Sequence, residues 1–197
     1  MPKRSLTYTI HGVDALNKRV LATVFAKKFA ALLAGLKAAD KDGNGSKHFD
    51  YVISDMRVSS AVVKLDTFET SKKQARIDPF AAFEECATAL EKSDFDKALI
   101  YASTVQKIAE LSEGAGEQYS YADIDVGGNV IRIDDFLARQ AENAKRHMEE
   151  AAEVLRHFVG VSHGSFDGEI KEVDLRGTQP QMKLRLSAGN KEIDCIS

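Results

Sequence analysis

Apolar and polar residues alternate near the start of the chain, and this pattern predicts a β-strand. Leu6, Tyr8 and Ile10 recur at every second position, which places one side of a strand in a core. A helix should follow, capped by Asp14 and ending near Asp40, where turn-forming residues begin. Its apolar stripe has steps of three and four residues and contains Leu21, Phe25, Phe29, Leu32 and Leu36.

The middle of the chain predicts two strands and then two helices. Ser59 and Ser60 separate the strands as a turn or bulge. Asp78 followed by Pro79 marks a helix start, because a carboxylate caps the first turn and proline lacks only an N–H that the first turn leaves unused. The predicted elements are strands over 49–58 and 61–68 and helices over 79–92 and 96–113.

A hairpin and a long helix complete the first predicted domain. Gly127-Gly128 suits a two-residue turn between strands over 119–126 and 129–133. That turn sets the register, with Asp123 opposite Arg132, Ile124 opposite Ile131 and Ala122 opposite Ile133. From Asp134 an apolar seam with helical spacing runs to Phe158 and predicts one helix, with Gly160 as its stop.

Three further strands are predicted in the tail, over 165–175, 181–187 and 191–196. A turn at Gly189-Asn190 would pair Leu186 with Ile193 and Leu184 with Cys195, with Arg185 opposite Asp194. The expected fold class is α+β. An antiparallel sheet with helices largely on one face would occupy residues 1–160, and a small three-stranded β module residues 161–197.

Composition limits the classes of function. The chain has 197 residues, a formal net charge of −3 and 44% hydrophobic residues, with a pI near 6.0. This balance is typical of a globular protein and argues against a surface that is basic throughout. Two cysteines, no apolar signal segment at the N-terminus and no long uninterrupted apolar run favour a cytoplasmic protein that does not cross a membrane.

The order of elements and three short motifs resemble an uncharacterised family of bacterial proteins. The motifs are Ser60-Ala61-Val62-Val63-Lys64-Leu65, the segment Gly164 to Val173 and Ile193-Asp194-Cys195-Ile196. The resemblance implies that the tail is similar to the first three strands of an OB-like barrel, and it implies no activity. An OB-like barrel has five strands, so we expect the last two to be absent, replaced, or supplied by another chain.

One segment copies half of a calcium-binding loop. Asp40, Asp42, Asn44 and Gly45 match the first half of an EF-hand loop, in which side-chain oxygens converge on the ion. Position twelve is Tyr51, where a bidentate glutamate is required. The favoured interpretation is a helix-to-strand loop of turn-forming residues, and whether it binds calcium stays open.

Other candidate groups have simpler interpretations. His147 with Glu150, and Glu153 with His157, could share a metal, but a solvated helix face explains them. The segments 11–14 and 162–165 contain nucleophile and base residue types without a nucleophile-elbow signature. Cys86 and Cys195 fit core positions. No catalytic, cofactor-binding or metal-ligating residue is predicted, and an enzyme is not favoured.

An OB-like tail suggests a nucleic-acid-binding function, with contacts from Lys171, Arg176, Lys183 and Arg185. From Gly164 onward the tail has five cations against six carboxylates and one aromatic residue, Phe166, which disfavours that function. The leading hypothesis is a non-enzymatic interaction protein that acts within an assembly, with a protein partner or further copies of itself, because unpaired strand edges invite pairing. Nucleic-acid binding by the tail is the alternative.

Overall fold

The structure is a computed structural model that describes residues 5–57, 61–71, 74–157, 168–174, 181–186 and 192–196. The chain divides into two compact units, Met1–Leu155 and Arg156–Ser197. The first contains a five-stranded antiparallel sheet and helices, and the second a three-stranded sheet. The predicted α+β class is confirmed.

The sheet of the first unit has helices against one face. Its strands are β1 (Ser5–His11), β2 (Phe49–Arg57), β3 (Val62–Glu69), β4 (Tyr121–Val126) and β5 (Asn129–Ile133), in the order β2-β3-β1-β4-β5. Leu6, Tyr8 and Ile10 are buried as their alternation predicts, while the residues between them are half-exposed. The opposite face of the sheet is therefore accessible along β1.

The described α-helices are α1 (Ala22–Asn44), α2 (Pro79–Glu91), α3 (Phe95–Leu99), α4 (Ala102–Ser112) and α5 (Asp135–His157). Leu32 and Leu36 of α1 share one core with Phe83 of α2, Ile108 of α4 and Leu137 of α5. The single helix predicted over 96–113 is wrong, because the chain breaks between α3 and α4 at Ile100-Tyr101.

Local capping and turn chemistry produce the elements that they predict. The Asp78 carboxylate accepts hydrogen bonds from the N–H groups of Phe80 and Ala81, at 2.9 and 3.3 Å, and Pro79 occupies the first helical position. Gly127 and Gly128 adopt positive φ angles and join β4 to β5 in the predicted register, with Asp123 opposite Arg132. Both predictions are confirmed.

Both predicted boundaries of α1 are wrong. Asp14 lies in a single 3-10 turn over Asp14–Leu16, and α1 begins only at Ala22, without a side-chain cap. The helix continues past Asp40 to Asn44 and ends at Gly45, which has a left-handed φ of 76°. The supposed calcium loop is therefore the last turn of a helix.

That last turn is held by hydrogen bonds from distant backbone. One oxygen of the fully buried Asp40 carboxylate accepts from the N–H groups of His48 and Phe49, at 2.7 and 2.9 Å. Its other oxygen accepts from the Asn44 amide at 2.9 Å. Asp40 thus fixes the start of β2 to the end of α1.

Two neighbours of Asp40 fix other elements. The Asn44 side chain accepts from the N–H groups of Arg76 and Ile77 and donates to the carbonyl of Ile77, at 2.7 to 3.0 Å. One Asp42 oxygen accepts from both the N–H and the hydroxyl of Thr104, each at 2.9 Å, in the first turn of α4. The oxygens that suggested a metal instead bind protein donors.

A buried lysine joins α1 to the end of α4. The Lys28 ammonium donates to the carbonyl of Glu110 at 2.9 Å and lies 5.6 Å from the ring centroid of Tyr119. Carbonyls at a helix C-terminus carry partial negative charge, which favours a cation there. Burial lowers the pKa of Lys28, and repulsion from Lys27 lowers it further.

The second unit contains β6 (Gly168–Asp174), β7 (Gln181–Leu186) and β8 (Glu192–Ile196) in the order β6-β7-β8. Leu184 lies opposite Ile193, and Lys183 opposite Asp194. The prediction paired Leu184 with Cys195 and is therefore wrong by two residues. The observed register is not the one that a two-residue turn at Gly189-Asn190 would set. The resemblance to an OB-like barrel stays a prediction.

Several predictions fall on residues outside those described. They concern the turn at Ser59-Ser60, the end of the long helix at Phe158 and Gly160, the glycine Gly164 and the turn at Gly189-Asn190. Within the described ranges, no helix combines the length and apolar character needed to cross a bilayer.

Asp40→Ala should destabilise the first unit strongly. The substitution leaves the buried N–H groups of His48 and Phe49 without an acceptor, which should cost about 3 kcal/mol of unfolding free energy. Urea unfolding followed by circular dichroism measures the change. Asp96→Ala is the matched control, because the Asp96 side chain is 94% exposed. Equal stability of the two variants would contradict the role assigned to Asp40.

The stability contributed by Lys28 should rise with pH. Because its pKa is lower in the folded chain, the unfolded chain binds more protons at pH values between the folded pKa and the ordinary value of 10.5. In that window wild type should gain unfolding free energy relative to Lys28→Met as pH increases. Urea unfolding over a pH series tests this, with Lys37→Met as the control for an exposed lysine of the same helix. If the difference in unfolding free energy between wild type and Lys28→Met narrows as pH increases, the prediction is wrong.

Candidate functional site

Two of the tail residues predicted to contact nucleic acid pair with acidic residues in the strand register. Lys183 is opposite Glu172 on β6 and Asp194 on β8, and Arg185 is opposite Glu169 and Glu192. These cross-strand neighbours reduce the positive charge available to a phosphate backbone.

Of the remaining two predicted contacts, Lys171 lies among the described residues. Lys171 is the residue left over at a register shift in β6, and its ammonium lies 2.5 Å from the Glu169 carboxylate. That hydrogen bond and charge lower the pKa of Glu169. Arg176 lies outside the described residues. Nucleic-acid binding stays a prediction, with a charge pattern that disfavours it.

The described members of the other candidate groups pack within the first unit. His147 lies 3.5 Å from the Asp96 carboxylate and beside the ring of Phe95, so it contacts α3. The side chains of Glu153 and His157 lie outside the described part. Cys86 is fully buried, and burial raises the pKa of its thiol. Among described residues, no group of three His, Cys, Asp or Glu side chains could hold a metal.

Four side chains of the accessible sheet face form a compact group, which we call the His11 cluster: His11, Tyr121, Asp123 and Arg132. His11 Nε2 and Arg132 Nε each lie 3.2 Å from an oxygen of Asp123. The contact from His11 is an electrostatic approach without hydrogen-bond geometry. Asp123 therefore lies between two potential cations.

The Tyr121 ring makes both remaining contacts of the cluster. The His11 ring stacks on it with centroids 4.2 Å apart, and the Arg132 guanidinium carbon lies 4.5 Å from its centroid. Aromatic stacking and cation–π contact restrict both side chains. The hairpin pattern predicted the contact between Asp123 and Arg132, but the pairing of His11 with Tyr121 depends on β1 lying beside β4.

A pocket of about 790 Å³ adjoins the His11 cluster at the end of β1. Its lining includes the cationic residues Lys18 and Arg19 and one carboxylate, Asp14. Hydroxyl-bearing residues Thr9, Ser120 and Tyr121, together with His11, complete the polar part of the lining. The pocket can therefore offer positive charge and hydrogen-bond donors to a ligand.

The segment that carries Lys18 and Arg19 has an unusual backbone. Asn17 and Lys18 adopt left-handed φ angles of 52° and 60° in succession. Two backbone hydrogen bonds hold this reversal, from the N–H of Lys18 to the carbonyl of Val13 at 3.1 Å and from the N–H of Arg19 to the carbonyl of Leu16 at 3.0 Å. Non-glycine residues in this conformation cost about 1 kcal/mol or more each and cluster at functional sites.

Gly12 allows this segment to fold back closely. A Cβ placed on Gly12 would lie 2.1 Å from the carbonyl oxygen of Arg19, far inside van der Waals contact. The absence of a side chain at position 12 thus determines where the chain returns at Arg19. Nothing in the residue spacing along the chain predicts this contact.

The outer edge of β2 is a second accessible feature. β2 pairs with β3, and no other described strand pairs with it. Val52, Ile53 and Met56 of β2 are about half exposed, and Phe68 of β3 is 60% exposed. At the other edge of the sheet, β5 is shorter and exposes Val130. Long apolar edge strands are exceptional in monomers, because they template pairing with another chain.

Comparison with known proteins gave no match. No model of a known protein family, no curated protein and no solved structure matches the chain. The functional argument therefore depends on the geometry described above.

Gly12→Ala should displace the segment that carries Lys18 and Arg19. The added methyl group would collide with backbone at Arg19, and a forced shift of this kind costs about 1–3 kcal/mol. Thermal unfolding should show a lowered midpoint. Ala15→Ser, at an exposed position of the same segment, is the control. A midpoint unchanged in Gly12→Ala would contradict the close approach.

Proposed function

We propose that this chain is a non-enzymatic interaction protein that assembles with a second copy of itself through the outer edge of β2. The observation that carries the proposal is the combination of an edge strand of nine residues with half-exposed Val52, Ile53 and Met56. Pairing two such edges would satisfy backbone N–H and C=O groups and remove apolar side chains from water.

A register shift in β2 makes the strand complementary to itself. Asp50 lies opposite Phe68, and Arg57 lies opposite Val62, which is six residues earlier on β3. Side chains an even number of residues apart on one strand share a face, so Asp50 and Arg57 share the accessible face. Without the shift between Ile53 and Asp55, residues seven apart would lie on opposite faces.

An antiparallel pair of β2 strands can use this arrangement twice. In the register that places Asp50 opposite Arg57 of the second copy, two-fold symmetry repeats the opposite-charge contact at the other end. The same register places Tyr51 opposite Met56 of the second copy. The two residues are compatible there, since both belong to the helix-covered face. The charges at the ends and the apolar residues between them favour a second copy as the partner.

The intrachain ion pairs at this edge are weak enough to rearrange. Asp50 lies 2.6 Å from Lys47, and Arg57 lies 3.4 Å from Asp55, with all four side chains substantially exposed. Exposed pairs contribute about 0–1 kcal/mol, so exchanging them for contacts between copies costs little. We place this assembly in the cytoplasm, where thiols such as that of Cys86 remain reduced.

Sedimentation or light scattering over a concentration series should show a dimer that dissociates on dilution. Ile53→Lys should give a monomer, because it places an unpaired charge at the centre of the proposed interface, at a side chain that is 49% exposed. Val130→Lys is the matched control, since Val130 is equally apolar and exposed but lies on β5. A wild-type chain that is monomeric throughout, or equal loss of dimer in both variants, would overturn the proposal.

Charge reversal tests the register. Asp50→Arg and Arg57→Asp should each weaken the dimer by placing like charges opposite one another, and the two together should restore it. A double variant no better than either single variant would show that this register is wrong.

A further inference from the structure

The pocket beside the His11 cluster has the chemistry of an anion site, and none of its lining residues belongs to β2. Two cationic side chains, Lys18 and Arg19, line it against the single carboxylate of Asp14. Its volume of about 790 Å³ lies within the range of roughly 300–1,000 Å³ that small-molecule sites occupy. We infer that this pocket binds a small phosphoryl-bearing anion.

The donor set favours a phosphoryl group over a carboxylate. An arginine and a lysine supply charge-assisted hydrogen bonds, and phosphate has more acceptor oxygens than a carboxylate to receive them. The hydroxyl-bearing residues Thr9, Ser120 and Tyr121 add neutral donors on the β1 and β4 side of the pocket. A ligand with several oxygens could therefore contact both sides of the pocket at once.

The backbone that carries the cationic residues of the pocket is pre-organised. Consecutive left-handed residues at Asn17 and Lys18 are fixed by backbone hydrogen bonds, and Gly12 permits the close return at Arg19. Pre-organisation of this kind lowers the entropy lost on binding. The accessible sheet face is also ordered here, because Tyr121 is contacted by both His11 and Arg132.

Isothermal titration calorimetry with pyrophosphate tests the inference. The informative variant is Lys18→Asn with Arg19→Gln, because both charges are removed while asparagine tolerates the left-handed conformation of position 18. Arg139→Gln with Lys145→Gln removes two cationic side chains from α5, which are 66% and 36% exposed, and is the charge-matched control. Thermal melting of each variant verifies the fold, and Arg19→Gln alone replaces the double variant if that melts early.

Wild type should bind pyrophosphate, the pocket variant at least about tenfold more weakly, and the control within about twofold of wild type. Affinity should fall as salt is added. Absence of binding by wild type, or equal losses in the two double variants, would overturn the site. Citrate binding as tightly as pyrophosphate would overturn the assignment to phosphoryl-bearing ligands. The dimer variant Ile53→Lys should bind pyrophosphate as wild type does.

Discussion

The last turn of α1 is the constraint on which the arrangement of the first unit depends. Within five residues, Asp40, Asp42 and Asn44 bind the start of β2, the first turn of α4 and the segment that leads into α2. Each contact satisfies backbone N–H groups at an element boundary, where the regular ladder cannot do so. Because Asp40 is fully buried, its carboxylate is tolerated only through these donors.

The same helix is fixed near its other end by a different charge. Lys28 reaches the carbonyl of Glu110 near the end of α4, and Tyr119 donates to the neighbouring carbonyl of Leu111 at 2.8 Å. Helix α4 is therefore bound to α1 by a carboxylate at its first turn and by an ammonium at its last. This polarity matches the helix dipole, with negative charge at the N-terminus and positive charge at the C-terminus.

Sequence reasoning succeeded where the chemistry is local. Asp78 with Pro79, and Gly127 with Gly128, specify a helix start and a hairpin because each acts on residues beside it. It failed at the end of α1, because hydrogen bonds from residues up to 62 positions away keep Asp40 to Asn44 helical against their turn preference. The tail register failed because it rested on an assumed turn position, and an error of two residues preserves the alternation of faces.

The His11 cluster could not be predicted from local sequence patterns either, because it depends on the order of strands in the sheet. Its members come from β1, β4 and β5, and nothing in the spacing along the chain requires β1 to lie between β3 and β4. Once that order exists, the helices cover one face of the sheet, and the other must carry polar residues that satisfy one another. The outer edge of β2 follows from the strand order, which pairs β2 with β3 alone among the described strands. No residue that lines the pocket belongs to β2, so the proposed pairing at that edge and the proposed anion site use different side chains.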